Sequence, residues 1–183
     1  MRIAQVAPLA EAVPPKLYGG TERVIWWLTE ALVELGHDVT LYASGDSETS
    51  AKLIACAARG LRLEGINSHV AYTVAMVDQV LSDADQYDYI HFHVDFVHLP
   101  LFKQLAGKCL TTLHGRLDLP DFLPGFTHFP EARLVSTPND PRPPGPPATF
   151  LPNGLPAPTR PPAPARAAGR RSRRERRVGG GGG

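Results

Sequence analysis

The sequence predicts an open α/β sheet with helices on both faces, and two observations support this prediction. Short apolar runs alternate with helical patterns from the N-terminus to about residue 136, and residues 1–43 form a strand–helix–strand unit. Two parallel strands need such a crossover connection, which is nearly always right-handed. Repeated alternation of this kind is typical of an open, mostly parallel sheet.

The first strand–helix–strand unit has the strongest pattern. Residues 3–7 are a short strand-like run, and a loop rich in Pro and Gly follows over residues 8–20. Thr21 then begins a helical pattern, because apolar residues recur at helical spacing as far as Leu35. Gly36 stands where a C-terminal cap is expected, and residues 38–43 are predicted to be the second strand.

Later elements follow the same alternation, except that residues 51–65 match neither pattern. A helix capped by Asn67 or Ser68 is predicted from an apolar stripe at helical spacing: Val70, Val74, Val77 and Leu81. The remaining predicted elements are strands over residues 89–94, 108–113 and 133–136 and a short helix over residues 99–105.

The last 47 residues have a different composition. They hold twelve of the 19 prolines and nine Arg against two acids, a net charge of +7, which leaves −6 for residues 1–136 out of the chain's +1. Such a segment buries too little apolar surface to offset its conformational entropy. We therefore expect one domain over residues 1–136 and a disordered tail over residues 137–183. A frameshift or a misread gene end would produce this tail.

Composition also limits the class of protein. The two cysteines, Cys56 and Cys109, lie far apart, so neither a disulfide framework nor a zinc-knuckle spacing is present. The N-terminus lacks a signal peptide pattern, and no run approaches the ~20 apolar residues of a membrane span. We expect a cytoplasmic protein with no transmembrane segment, and peripheral membrane contact stays open. The arginines of residues 170–177 could bind nucleic acid or anionic lipid, but no specific nucleic-acid partner is expected.

The first motif is Tyr-Gly-Gly-Thr-Glu-Arg at residues 18–23, at the start of the first predicted helix. Glycines let the backbone approach a ligand closely, and a helix N-terminus offers free N–H groups to an anion such as a diphosphate. The alternative is that Gly19 and Gly20 only make a turn. The dinucleotide fingerprint of three spaced glycines is absent, which argues against NAD binding.

The second motif is His-Phe-His-Val-Asp at residues 91–95, followed by His98. It lies at the carboxyl end of a predicted strand, where open α/β sheets bind ligands, and His91 and His93 share one side of that strand. Three interpretations stay open: a substrate contact, a metal site formed with Asp95, and strand-end residues satisfied by hydrogen bonds.

The third motif is Thr-Thr-Leu-His-Gly-Arg at residues 111–116, again a strand that runs into a loop. His114 stands at the strand end, where it could bind a sugar hydroxyl or polarise a leaving group. A single His is more often structural. Its position at the same sheet edge as the other two motifs favours a functional role.

Together these motifs resemble the N-terminal, acceptor-side domain of bacterial glycosyltransferase family 4. The resemblance rests on the opening Met-Arg-Ile-Ala-Gln-Val-Ala-Pro, on the motif at residues 18–23, on Leu-Gly-His-Asp-Val-Thr-Leu at residues 35–41 and on Thr-Leu-His-Gly at residues 112–115. It covers residues 1–136 and implies one Rossmann-like half of a GT-B fold. A short Pro-rich stretch at residues 151–156 resembles the family's entry to its second domain.

The resemblance also implies an activity and a set of site residues. The family transfers a sugar from a nucleotide-diphosphate donor to a carbohydrate or small-molecule acceptor with retention of configuration, and it generally needs no metal or other cofactor. Carried over to this chain, Gly19, Gly20 and Thr21 would bind the donor, and His114 would be the catalytic residue facing the transferred sugar. Three further residues would lie on the acceptor side: Glu22, His93 and Asp95.

Two other functions stay open at this stage. The family's second domain, which holds the nucleotide, does not appear in the sequence, so the chain alone is expected to have little or no transferase activity. A non-catalytic module that binds a sugar or nucleotide would use the same sheet edge. A metallohydrolase-like protein would instead use a histidine-rich set: His91, His93, Asp95 and His98.

Overall fold

A computed structural model of the protein describes residues 1–115, 120–136 and 149–152. Within these residues the chain forms seven strands and four α-helices, with three short 3₁₀ turns at Ala84–Gln86, Lys103–Lys108 and Pro120–Phe122. In chain order the elements are β1 (Arg2–Val6), α1 (Gly20–Glu34), β2 (Asp38–Ser44), β3 (Lys52–Ala57), α2 (Val70–Ser82), β4 (Tyr89–Phe92), α3 (Leu99–Phe102), β5 (Cys109–Leu113), α4 (Leu123–His128), β6 (Arg133–Ser136) and β7 (Thr149–Pro152).

The seven strands form one open sheet in the order β3-β2-β1-β4-β5-β6-β7, and every neighbouring pair is parallel. Because the chain moves from β1 first to β2 on one side and later to β4 on the other side, the order reverses beside β1. Open α/β sheets bind ligands at the carboxyl ends of the strands next to such a reversal. The predicted fold class, a Rossmann-like open parallel sheet, is confirmed.

Helices cover both faces of this sheet, as the sequence predicts. On one face Ile25 of α1 packs with Leu41 and Ala43 of β2. On the other face three residues of α2 (Met76, Val77 and Val80) pack with Tyr42, Ile90 and Phe92. Since successive strand residues point to opposite faces, Leu41 points to one face of the sheet and Tyr42 to the other. We call the face of Leu41, which α1 covers, the α1 face, and the face of Tyr42, which α2 covers, the α2 face.

Several details differ from the sequence prediction; α2, for example, has His69 and not Asn67 or Ser68 as its N-cap residue, and no side chain caps it. Strand β3 lies in the region that matched neither pattern, because an edge strand with only half-buried residues lacks a clear apolar alternation. In α2 the buried residues are Met76, Val77 and Val80. Val70 and Val74 of the predicted stripe are exposed, because the first half of that helix packs little against the sheet. Strand β7 extends the sheet beyond residue 136, inside the segment predicted to be a tail.

The boundary between domain and tail stays a prediction, because residues 137–148 and 153–183 lie outside the described part of the chain. Arg116 of the third motif lies outside it as well. Within the described residues no helix is long and apolar enough to cross a membrane.

Candidate active site

The three sequence motifs meet at the carboxyl edge of the sheet. Strand β1 leads into the loop that ends at Gly19, strand β4 ends just before His93, and strand β5 ends just before His114. The amide of His93 donates to the carbonyl oxygen of Val6 at 3.0 Å, which continues the β1–β4 pairing one residue beyond the end of β4. Adjacent strands lie ~4.8 Å apart, so β1 and β5, with β4 between them, are about two strand spacings apart.

The N-terminus of α1 carries the first motif. Gly19 is the N-cap residue and no side chain caps the helix, whose first backbone bond runs from the Arg23 amide to the Gly19 carbonyl oxygen at 3.2 Å. The amides of Gly20 and Thr21 have no hydrogen-bond partner in the described chain. Free amides and the positive end of the helix dipole make this end of α1 suited to an anion.

The two glycines of this motif are required for different reasons. A Cβ on Gly19 would lie 2.7 Å from Glu22 Oε2 and 2.8 Å from Pro15 Cβ, so internal packing accounts for this glycine. A Cβ on Gly20 would meet nothing within 4 Å. Gly20 therefore has no steric reason inside the molecule, and a glycine at the first position of a helix gains nothing in helix stability. An external group that approaches the backbone closely would explain it.

Glu22 lies beneath this end of the helix, where it is buried against Gly19. Burial raises the pKa of its carboxyl group, and the nearby Glu11 carboxylate raises this pKa further. A hydrogen bond from the backbone amide of Glu22 itself lowers the pKa and so opposes these two effects. Glu11 is also buried, and its Oε1 accepts a hydrogen bond from Arg62 Nη1 at 2.9 Å. Glu22 thus belongs to a group of two carboxylates and one guanidinium.

Strands β1, β4 and β5 contribute a chain of hydrogen bonds on the α1 face. His93 Nε2 lies 3.0 Å from Gln5 Oε1, and His93 Nδ1 lies 2.8 Å from His114 Nε2. Burial lowers the pKa of His114 to about 4, and it holds the pKa of His93 well below its ordinary value. Both rings are therefore neutral near pH 7. His93, predicted on the acceptor side, contacts the predicted catalytic residue directly.

His91 lies beside this chain on the same face. Its ring centroid lies 4.2 Å from that of His93, and its Nε2 lies 2.7 Å from Thr112 Oγ1. Burial lowers the pKa of His91 to about 3, with a smaller contribution from His114. The three neutral rings form one polar patch at the ends of β4 and β5.

The residues of all three sequence motifs lie within the part of the chain that a known family matches. The model of Glycosyltransferase Family 4 matches residues 18–137, more than half of the 183 residues. The chain belongs to Glycosyltransferase Family 4.

This family 4 chain is also similar to a solved structure, that of AviGT4, a glycosyltransferase involved in Avilamycin A biosynthesis. The two share 25% sequence identity with a TM-score of 0.44, over 63% of this chain and 32% of AviGT4. The family 4 chain therefore spans about a third of the length of AviGT4. No curated protein gives a significant match.

Asp95 of the family 4 chain does not hydrogen-bond to the three histidine rings. It is exposed, it adopts a positive φ of 52°, and it makes no hydrogen bond or ion pair within the described residues. Partial desolvation raises the pKa of its carboxyl group. A non-glycine residue in the left-handed region is uncommon and costs conformational energy, which is often found at functional sites.

The histidines do not converge as the metallohydrolase interpretation requires. His98 lies on the α2 face, where its ring stacks on Phe92 with centroids 3.8 Å apart and its Nε2 lies 2.9 Å from Thr111 Oγ1. His91 and His93 point to the α1 face. Across the residues that the structure describes, no group of three or more His, Cys, Asp or Glu side chains could hold a metal ion.

Sequence reasoning missed Gln5 and Glu11. Gln5 is a polar residue inside the otherwise apolar run of β1, and this was a usable signal, because a buried amide needs a partner. Glu11 had no such signal, since it lies in a Pro- and Gly-rich loop that follows no periodic pattern. Only the packing of residues 8–12 against residues 60–62 buries it, through the Leu61 and Arg62 amides that donate to the carbonyl oxygens of Leu9 and Ala10.

Proposed function

We propose that this chain is the acceptor-side domain of a glycosyltransferase that uses a nucleoside diphosphate sugar as donor. The observation that carries the proposal is the helix end at Gly20, which has free amides and open space in front of it, on the same sheet face and edge as His114. A diphosphate is the anion that fits a glycine-flanked helix N-terminus.

The chemistry of glycosyl transfer matches this arrangement. The leaving group is a nucleoside diphosphate, so the negative charge that develops on it must be stabilised as the glycosidic bond breaks. The amides of Gly20 and Thr21 would do this with dipoles that are already oriented. His114 would contact the transferred sugar at the end of β5, about two strand spacings from β1.

The acceptor would enter on the side of the remaining predicted residues. Glu22, His93 and Asp95 are proposed to belong to this side: Asp95 is exposed, whereas Glu22 and His93 are buried and would act through the residues they contact. Retention of configuration at the anomeric carbon is proposed from the family alone. A cytoplasmic location and the absence of a metal or other cofactor also stay predictions.

Nucleotide binding to the purified chain tests the proposal. The only two tryptophans, Trp26 and Trp27, both lie on α1 and report on its surroundings. We expect UDP, GDP or ADP to change their fluorescence, and the matching nucleoside, which lacks phosphates, to bind at least tenfold more weakly.

A matched pair of variants localises the binding. Gly20→Val should abolish the fluorescence change, whereas Gly107→Val, at another position where a Cβ meets nothing within 4 Å, should leave it intact. Equal binding of nucleoside and nucleotide, or unchanged binding by Gly20→Val, would contradict the proposal.

A further inference from the structure

The donor and the acceptor can be assigned in each hydrogen bond of the series that runs from Gln5 through His93 to His114. A neutral imidazole carries one N–H, so one ring nitrogen donates and the other accepts. Gln5 presents Oε1 to His93 at 3.0 Å, and with the amide in this orientation the oxygen accepts and His93 Nε2 carries the proton. His93 Nδ1 is then an acceptor, and the 2.8 Å contact requires His114 Nε2 to donate to it.

This assignment determines what the other ring nitrogen of His114, Nδ1, offers to a ligand. With its proton on Nε2, His114 has a lone pair on Nδ1, and no group in the described residues donates to that nitrogen. A lone pair repels a phosphate oxygen, which is itself an acceptor, but it accepts a hydrogen bond from a hydroxyl group. The chain of contacts thus assigns the two halves of a sugar diphosphate to different groups: the phosphates to α1 and a sugar hydroxyl to His114.

We propose that Gln5 and His93 are positioning residues that hold His114 as its Nε2–H tautomer, so that Nδ1 accepts a hydrogen bond from a hydroxyl of the transferred sugar. The hydroxyl as ligand rests on the proposed function, whereas the tautomer is a property of the free chain. Gln5 and His93 are 1% and 3% exposed, so neither needs to touch the substrate for this role.

The tautomer is measured directly by long-range ¹H–¹⁵N correlation of the histidine rings in the ¹⁵N-labelled free chain near pH 7.5. We expect His93 and His114 both to show the Nε2–H pattern. Gln5→Glu should keep it, because a carboxylate also only accepts. Gln5→Leu should convert the single pattern of His93 and His114 into a mixture of the two tautomers.

Two controls show whether a tautomer change is specific to the Gln5 substitution. Gln104→Leu, at an exposed position, should change neither ring, and the His98 signals should stay the same in all variants because His98 lies on the α2 face. An Nδ1–H pattern for His114 in the unmodified chain overturns the proposal, even if no variant folds. A pattern that Gln5→Leu leaves unchanged overturns the role of Gln5.

The ligand is tested in the same spectra. UDP-glucose, UDP-N-acetylglucosamine and GDP-mannose are compared with UDP and GDP, and at least one sugar nucleotide should shift His114 Nδ1 while its parent diphosphate does not. An equal shift by the parent diphosphate would contradict the hydroxyl assignment. Failure of all five to bind would contradict the proposed function and the hydroxyl assignment, but it would leave the tautomer result standing.

Discussion

His93 Nδ1 lies 2.8 Å from His114 Nε2, which joins the ends of two neighbouring strands through their side chains. Both rings are neutral because burial disfavours their charged forms. A buried histidine with both nitrogens bonded cannot rotate, so His93 fixes the orientation of His114. This contact links the end of β4, the central strand of the sheet, to the residue that we assign to the transferred sugar.

Replacing Gly20 by Ala should separate ligand binding from stability. The new methyl group meets nothing within 4 Å, and alanine is the better helix former, so the unfolding free energy should stay the same or rise by up to about 1 kcal/mol. Nucleoside diphosphate affinity should fall about tenfold or more, equivalent to ~1.4 kcal/mol. Urea denaturation and nucleotide titration of the same preparation measure both quantities.

Replacing Gly19 by Ala should, in contrast to Gly20→Ala, lower the unfolding free energy. The Cβ would lie 2.7 Å from Glu22 Oε2 and 2.8 Å from Pro15 Cβ, so the loop or the helix end must shift. Overpacking of this kind costs about 1–3 kcal/mol in unfolding free energy. Urea denaturation beside Gly20→Ala provides the comparison, and an unchanged midpoint for Gly19→Ala would show that this packing is wrong.

Neutral buried histidines should make the protein sensitive to acid. The pKa is lowered from 6.5 to about 3 in His91 and His98 and to about 4 in His114. Because these folded-state pKa values lie below the unfolded value, the unfolded chain binds protons first as the pH falls. The unfolding free energy should therefore decrease from about pH 6.5 downward, with a slope of up to ~1.4 kcal/mol per pH unit for each histidine.

Denaturation at a series of pH values between 8 and 5 measures this slope. His91→Gln removes one of the titrating groups while keeping a polar side chain opposite Thr112, so its slope should be smaller than that of the unmodified chain. A stability that is constant over this range, or that rises as the pH falls, would contradict the burial of these rings.

Glu22 should respond in opposite directions to two neighbouring substitutions. Glu11 contributes to the raised pKa of Glu22, and Arg62 opposes it. Glu11→Gln should therefore lower the Glu22 pKa, and Arg62→Gln should raise it further. Carboxyl ¹³C titration of Glu22 by NMR measures both shifts, and a shift of the same sign in the two variants would contradict the proximity of these three groups.

The sequence was sufficient for the architecture because the strands and α1 have strong local patterns. The apolar runs of the inner strands and the helical spacing after Thr21 can be recognised in the sequence without knowledge of long-range contacts. Strand β3 was missed because its residues are only partly buried, and β7 was missed because Pro-rich sequence surrounds it. The partners of these strands, rather than their own residues, determine them.

The site was predictable in its location but not in its contacts. The position of a residue at a strand end can be read from the chain, so the sequence placed His93 and His114 at one sheet edge. The His93 side chain could contact either the substrate or His114. Which of the two it contacts depends on side-chain geometry across neighbouring strands, and no local sequence pattern contains that information. The burial of Glu11 and the partnership of Gln5 with His93 likewise arise only when distant segments pack.

One titration tests the central claim that the α1 N-terminus and His114 form a single donor site. The ¹⁵N-labelled chain is titrated with the sugar nucleotide that binds best among those named above, while the backbone amides of Gly20 and Thr21 and the ring of His114 are followed together. We expect all three signals to shift with one dissociation constant. Shifts at α1 with an unchanged His114 ring, or two different dissociation constants, would show that the helix end and the imidazole do not share a ligand.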